Sequence, residues 1–203
     1  LMSAMGVSVL FVGVSGALSQ MLRAEGGALT VQGTMMMILS LAIGAVLGEL
    51  LDLEDRMERF GAWLKVKTKS ESDGGFIGAF VTASLTVCIG AMAIVGSIQD
   101  GILGDHATLF AKAVLDLVII MVMTASMGKG CIFSAIPVGI LQGSVTLLAR
   151  LLQPVFTDTA LSSLSLVGSV LVFCVGLNLV WGKKIRVANL LPSLLIAVIW
   201  AFL

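Results

Sequence analysis

The chain has 203 residues, of which 58% are hydrophobic and only 12% charged, against about 45 to 50% and about 25% in an ordinary soluble domain. Twelve Lys and Arg balance twelve Asp and Glu, the mean hydropathy is +1.10 and the pI is near 6.8. Such a chain lacks both the polar cover that a water-soluble core needs and the basic face that nucleic-acid binding requires.

The residues therefore predict an all-α fold: a polytopic transmembrane helix bundle of about seven spans, with residues 1–203 forming a single transmembrane domain. A crossing takes about 17 to 25 mostly apolar residues. In chain order such runs lie at Ala4–Leu22, Thr34–Leu51, Phe76–Ser97, Ala107–Met127, Cys131–Leu148, Ser162–Trp181 and Val187–Leu203. The chain begins with Leu1 rather than Met and enters its first apolar run at once, without the basic leader of a signal peptide, and it is expected to lack its natural N-terminus. Pro192 stands early in the last run, where it either kinks the helix or marks its first turn.

Residues 52–75 form the one long polar segment and carry Arg56, Arg59, Lys65, Lys67 and Lys69. The positive-inside rule puts this loop in the cytoplasm. Alternation then brings Lys129, Lys183, Lys184 and Arg186 to the same side, leaving only Arg23 and Arg150 outside and Lys112 within a span. Within the loop, Leu53, Met57, Phe60 and Leu64 recur at three- and four-residue spacing opposite Glu54, Asp55, Glu58, Arg59 and Lys65. That pattern predicts an amphipathic helix, either lying along the interface with Trp63 as anchor or projecting into water.

Helix packing inside lipid relies on small residues spaced four apart. Three such stripes occur: Ser40, Gly44 and Gly48; Gly74, Gly78, Thr82, Thr86 and Gly90; and Ala135, Gly139 and Gly143. They are abundant enough for a homodimer as well as for internal contacts. The stretch from Gly6, GVSVLFVGVSGAL, is similar to GSVLVFCVGLNL from Gly168. On the predicted topology the two copies run in opposite directions, as an inverted repeat or a chance likeness between Val- and Gly-rich helices.

Polar groups at bilayer depth are costly and concentrate on pathways. Lys112 and Asp116, four apart, share one face of the fourth span. They are read as a charge pair on an ion or solute pathway lined by Thr82, Ser84, Thr86, Gln142 and Asn178, or as a structural ion pair. The run Gly90–His106 holds four glycines beside Gln99, Asp100 and Asp105, and reads as a broken helix end and acidic outer turn, with Gln99 and Asp100 at an outer mouth. Cys88, Cys131 and Cys174 are far apart without CxxC spacing, and His106 stands alone. No zinc, haem, iron–sulfur or disulfide signature results, so no metal or cofactor is expected. No nucleophile and base or cofactor motif marks an enzyme.

The runs GAFVTASLTVCIGAMAIVGSIQDG (Gly78–Gly101), FAKAVLD (Phe110–Asp116), FSAIPVGILQG (Phe133–Gly143) and KIRVANLLP (Lys184–Pro192) resemble the bacterial YqgA/YdfK-like membrane proteins, a family filed as a domain of unknown function. The resemblance covers nearly the whole chain. It implies a multi-pass protein of the bacterial inner membrane with one further N-terminal apolar span, and names no substrate. Two functions follow as expectations: transport of a small ion or polar solute by a transporter or channel, or a non-transporting sensor, assembly factor or scaffold.

Overall fold

The computed structural model describes residues 2–25, 28–70, 74–88, 91–152 and 157–202. Helix α1 (Met2–Met21) leads into a short hairpin, β1 (Leu22–Glu25) and β2 (Ala28–Val31), paired antiparallel with Leu22 opposite Val31. This hairpin is unforeseen in the hydropathy, which separates two spans there without an alternating pattern. Next come α2 (Thr34–Leu51), α3 (Leu53–Lys67), α4 (Phe76–Cys88), α5 (Ala91–Leu103) and α6 (Ala107–Met127). A 3-10 segment, Lys129–Ser134, opens α7 (Ala135–Leu147), followed by the single turn α8 (Ala149–Leu152) and α9 (Asp158–Trp181). A second 3-10 segment, Val187–Leu190, opens α10 (Pro192–Trp200), whose first position is a favourable place for proline.

Four stretches are individually long and apolar enough to cross a bilayer: Thr34–Leu51, Ala107–Met127, Lys129–Leu147 and Asp158–Trp181. The third predicted span is not one straight helix. Phe76–Cys88 and Met92–Leu103 meet at a 72° bend, so this apolar stretch is a broken pair of helices, and it extends past the expected end at Ser97 to Leu103. The first and last apolar helices, Gly6–Met21 and Val187–Trp200, are shorter.

Side-chain contacts give the helices their directions. Gly6 abuts Val180, Gly13 abuts Phe173 and Gly16 abuts Ser169, so α1 and α9 pack antiparallel. The two stretches read as repeat copies thus lie side by side in opposite directions. Likewise Gly44 abuts Ser193 and Gly48 abuts Asn189, setting α2 antiparallel to α10. A Cβ on Gly48 would fall 1.6 Å from the Asn189 carbonyl oxygen, so that approach admits glycine alone. Gly130 meets Phe76, and Gly101 meets Thr146 and Ala149, which runs the broken third span parallel to α7. These pairings agree with seven apolar segments of alternating direction.

One apolar core joins α9 to its neighbours through Phe76, Phe80, Val167, Leu171, Val175 and Leu179. A smaller cluster, Ala79, Ala83, Met123 and Cys131, seats α4 against α6 and the first 3-10 segment. The outer face is apolar too: Phe110, Val114, Leu115, Leu117, Val118 and Met121 of α6 are all exposed. In water such a surface would aggregate, and in hydrocarbon it is the ordinary exterior.

Candidate functional site

The bend in the third span positions the first candidate group. Val87 lies in the last turn of α4, where a helix runs out of amide donors for its carbonyls. Lys112, in the second turn of α6, fills that role: its Nζ donates to the Val87 carbonyl at 2.9 Å and pairs with the Asp116 carboxylate one turn along α6. A cation at a helix C-terminus is electrostatically favoured. The lysine is buried at 6% exposure, and its aspartate is half-buried. The sequence-predicted pair therefore exists and sits at a helix discontinuity.

A second group collects where α3, α4 and the end of α9 converge. Here a cavity of about 240 Å³ is walled by Val81, Leu85, Met127, Val175 and Leu179, with Thr82 and Asn178 beside Glu54, Glu58 and Lys183. Glu54, 4% exposed, accepts the Ala188 N–H at 2.9 Å and pairs with Lys183 Nζ at 2.9 Å. Lys183 also contacts the Glu58 carboxylate. Burial opposes the charge on Lys183, but its hydrogen bonds to Glu58 and Glu54 outweigh that and raise its pKa above the ordinary 10.5.

A third group lies toward the start of α9. Gln20, Gln32, Thr159, Ser162, Ser163 and Trp200 border a cavity of about 320 Å³. All its polar residues are neutral, and the sequence analysis singled out none of them. They are scattered over four segments, so no local spacing announces them. Leu166 at this cavity and Val175 at the other are nine residues apart on α9, or roughly 14 Å of helix rise. Fully buried Val167 and Leu171 fill the interval.

The remaining predicted residues divide. Thr82 and Asn178 share the first cavity with Gly78. Asn178 also holds its own turn together: its Oδ1 accepts the Lys184 and Ile185 N–H groups at 2.9 and 3.0 Å, and its Nδ2 donates to the Ile185 carbonyl at 2.7 Å. Thr86 bonds the Thr82 carbonyl within α4. Ser84 lies on the opposite face, 1% exposed, with no hydrogen-bond partner among the described residues. Gln142 is half-buried on α7. At the expected outer mouth, Gln99 accepts from Thr108 at 2.7 Å and Asp100 pairs with His106, so both tie the α5–α6 turn.

Of the packing stripes, Ser40, Gly44 and Gly48 are buried, and the two glycines abut Ser193 and Asn189. Among the described residues, Gly78, Gly139 and Gly143 meet nothing that a Cβ would touch within 4 Å. Gly78 faces the cavity, and the other two are exposed; none of the three serves as an internal helix contact. Gly90 lies outside the described residues. Packing glycines that the four-residue rule missed are Gly6, Gly13, Gly16 and Gly176 at the α1–α9 contact. Gly6 and Gly13 are seven apart, which a search at spacing four passes over. Among the described residues, no three His, Cys, Asp or Glu side chains group as a metal site.

Apolar exterior, seven apolar segments of alternating direction and a charged pair at a helix break together define a multi-span helical membrane protein. The chain belongs to the family described as Protein of unknown function (DUF554), which matches residues 1–202. It is 31% identical to the uncharacterized membrane protein YdfK of Bacillus subtilis (strain 168) over 97% of this chain and 80% of that one. It is 30% identical to the uncharacterized protein YqgA of Escherichia coli (strain K12) over 79% of this chain and 70% of that one. These findings agree with the resemblance carried by the Gly78–Gly101 and Lys184–Pro192 motifs. No solved structure matches.

Proposed function

We propose that this chain is a membrane transport protein for a small ion or polar solute, in which Lys112 and Asp116 control charge at the break in the third span. The observation that carries this reading is the Lys112 contact with the Val87 carbonyl beside Asp116. Discontinuous helices whose free carbonyls meet charge near the middle of the bundle are a recurring device of transporters. Two cavities toward opposite ends of α9, separated by the packed Val167 and Leu171, support a carrier with occluded passage over an open channel. The antiparallel α1–α9 and α2–α10 pairs support an inverted repeat. The basic residues of α3 and of the Lys183–Arg186 turn support a cytoplasmic position for the first cavity at the bacterial inner membrane. The reading includes no enzymatic step.

One observation favours the rival reading of a scaffold or sensor. Asn178, Gln99 and Asp100 are engaged in holding turns, as structural residues would be.

Purified protein in liposomes, screened for flux of monovalent cations, protons, halides and small carboxylates, tests the proposal. Selective flux by the wild type, lost in folded Lys112→Ala and Asp116→Asn, is the expected result. Absence of flux across the panel, with both variants thermally unstable, would overturn it in favour of the scaffold.

A further inference from the structure

Helix α3 carries a surface that transport does not use. Six of its fifteen residues are exposed: Arg56, Arg59, Phe60, Trp63, Val66 and Lys67. At 3.6 residues per turn these fall within an arc of about 120°. Three are cations and three are apolar, and none is acidic. The acids of the helix lie elsewhere: Glu54 is buried against the second 3-10 segment, while Asp55 and Glu58 are half-buried.

The stripe is held in this attitude. Gly61 packs against Phe80, Leu64 is 4% exposed, and the Asn189 side chain fixes the first turn through the Glu54 N–H at 2.7 Å. Rolling the helix to hide Trp63 would expose Leu64 and break the Glu54 contacts. On the stripe itself Phe60 and Trp63 stack at 5.7 Å between centroids, and Lys67 Nζ sits 5.2 Å from the Trp63 ring centre. The apolar groups are thus prearranged beside the cations.

The helix is also held at the membrane boundary. Only Asp52 separates its start at Leu53 from the end of α2 at Leu51, and the chain returns to the bundle at Phe76. Interleaved cations and aromatics at that level match a headgroup layer: rings enter the acyl boundary while guanidinium and ammonium groups reach phosphate. A zwitterionic headgroup brings its own cation, which these three residues would repel. An anionic one does not.

We infer that the Arg56–Lys67 face of α3 binds anionic phospholipid headgroups in preference to zwitterionic ones. The 203-residue chain with Trp181→Phe and Trp200→Phe keeps Trp63 as its one tryptophan, and short-chain phosphatidylglycerol and phosphatidylcholine can be titrated against it in detergent. The expected result is tighter binding of phosphatidylglycerol, weakened about fivefold by each of Arg56→Gln, Arg59→Gln and Lys67→Gln, equivalent to about 1 kcal/mol per cation. Lys129→Gln, an exposed cation elsewhere, should leave the preference unchanged. Raising salt from about 0.05 to about 0.5 M should erode it in the unsubstituted stripe, which tests the inference even where a Gln variant folds badly. Equal affinity for both lipids, or a preference that survives the triple Gln variant, would overturn it, as it would if the true occupant were an acidic protein.

Discussion

Glu54 and Asn189 each hold the backbone of the other's segment: Asn189 Oδ1 accepts the Glu54 N–H at 2.7 Å, and Glu54 Oε2 accepts the Ala188 N–H at 2.9 Å. The two residues are 135 positions apart, so this reciprocal contact fastens α3 to the entrance of α10. Removing the carboxylate leaves a buried N–H and Lys183 short of a partner. Glu54→Ala is expected to cost about 2 to 3 kcal/mol and to lower the melting temperature in detergent. A double-mutant cycle with Asn189→Ala should show strong non-additivity; additive losses would mean the two contacts act independently.

Glycine substitutions separate internal packing from open surface. A Cβ at Gly44 would lie 2.4 Å from the Ser193 backbone, and one at Gly48 would meet the Asn189 carbonyl. Gly44→Ala and Gly48→Ala should therefore sharply reduce folded yield on size exclusion. Gly139→Ala and Gly143→Ala, with nothing nearby, should leave the monomer intact. If they instead shift the oligomeric state in native membranes, as read by crosslinking, the third small-residue stripe serves contact between copies.

Ser84 offers a test of pathway against packing. Its hydroxyl is buried without a partner among the described residues, and an unsatisfied buried polar group costs about 1 to 3 kcal/mol. Ser84→Ala should raise thermal stability slightly. Unchanged flux in that variant would remove Ser84 from the pathway, and reduced flux in a more stable protein would keep it there.

The two cavities predict sided reactivity. In a background with Cys88, Cys131 and Cys174 replaced, Thr82→Cys should react with a membrane-impermeant thiol reagent added to one face of a vesicle, and Ser162→Cys from the other. Leu171→Cys, in the fully buried interval, should react from neither. Labelling of Leu171→Cys from both faces would point to a continuous water column.

Lys183 carries the pH prediction. Its folded pKa is raised above 10.5, so its contacts with Glu54 and Glu58 stabilise fully below that value, and their contribution fades as pH rises through the folded pKa. Comparing melting curves of wild type and Lys183→Met between about pH 9 and pH 12 should show the difference shrinking only at the alkaline end. A difference constant across that range would mean the ammonium charge is irrelevant to the contact.

Much of the bundle was legible because hydrocarbon imposes simple rules. Thr34–Leu51 and Ala107–Met127 begin and end where hydropathy predicts, since flanking polar residues cannot follow a helix into lipid. The bend after Cys88 was not legible as a position, because the apolar run continues across it and only its glycines hinted at interruption. Asp100 read as loop because of its charge; in the structure it belongs to α5 and its carboxylate contacts the His106 ring at the start of α6. Asn178 stands out as a polar group in an apolar run and lies at a cavity, but its bonds to Lys184 and Ile185 depend on how the chain reverses after Trp181. The first cavity's charged rim was missed because Glu54 and Lys183 are distant in sequence and each resembles an ordinary loop residue.

Both cavities have a wall in common. Because α9 borders one with Val175, Asn178 and Leu179 and the other with Thr159, Ser162 and Leu166, any displacement of that helix would move part of both walls at once. A substitution that shifts α9 should therefore be felt at both ends of the bundle, and reagent access to Thr82→Cys and Ser162→Cys should change together.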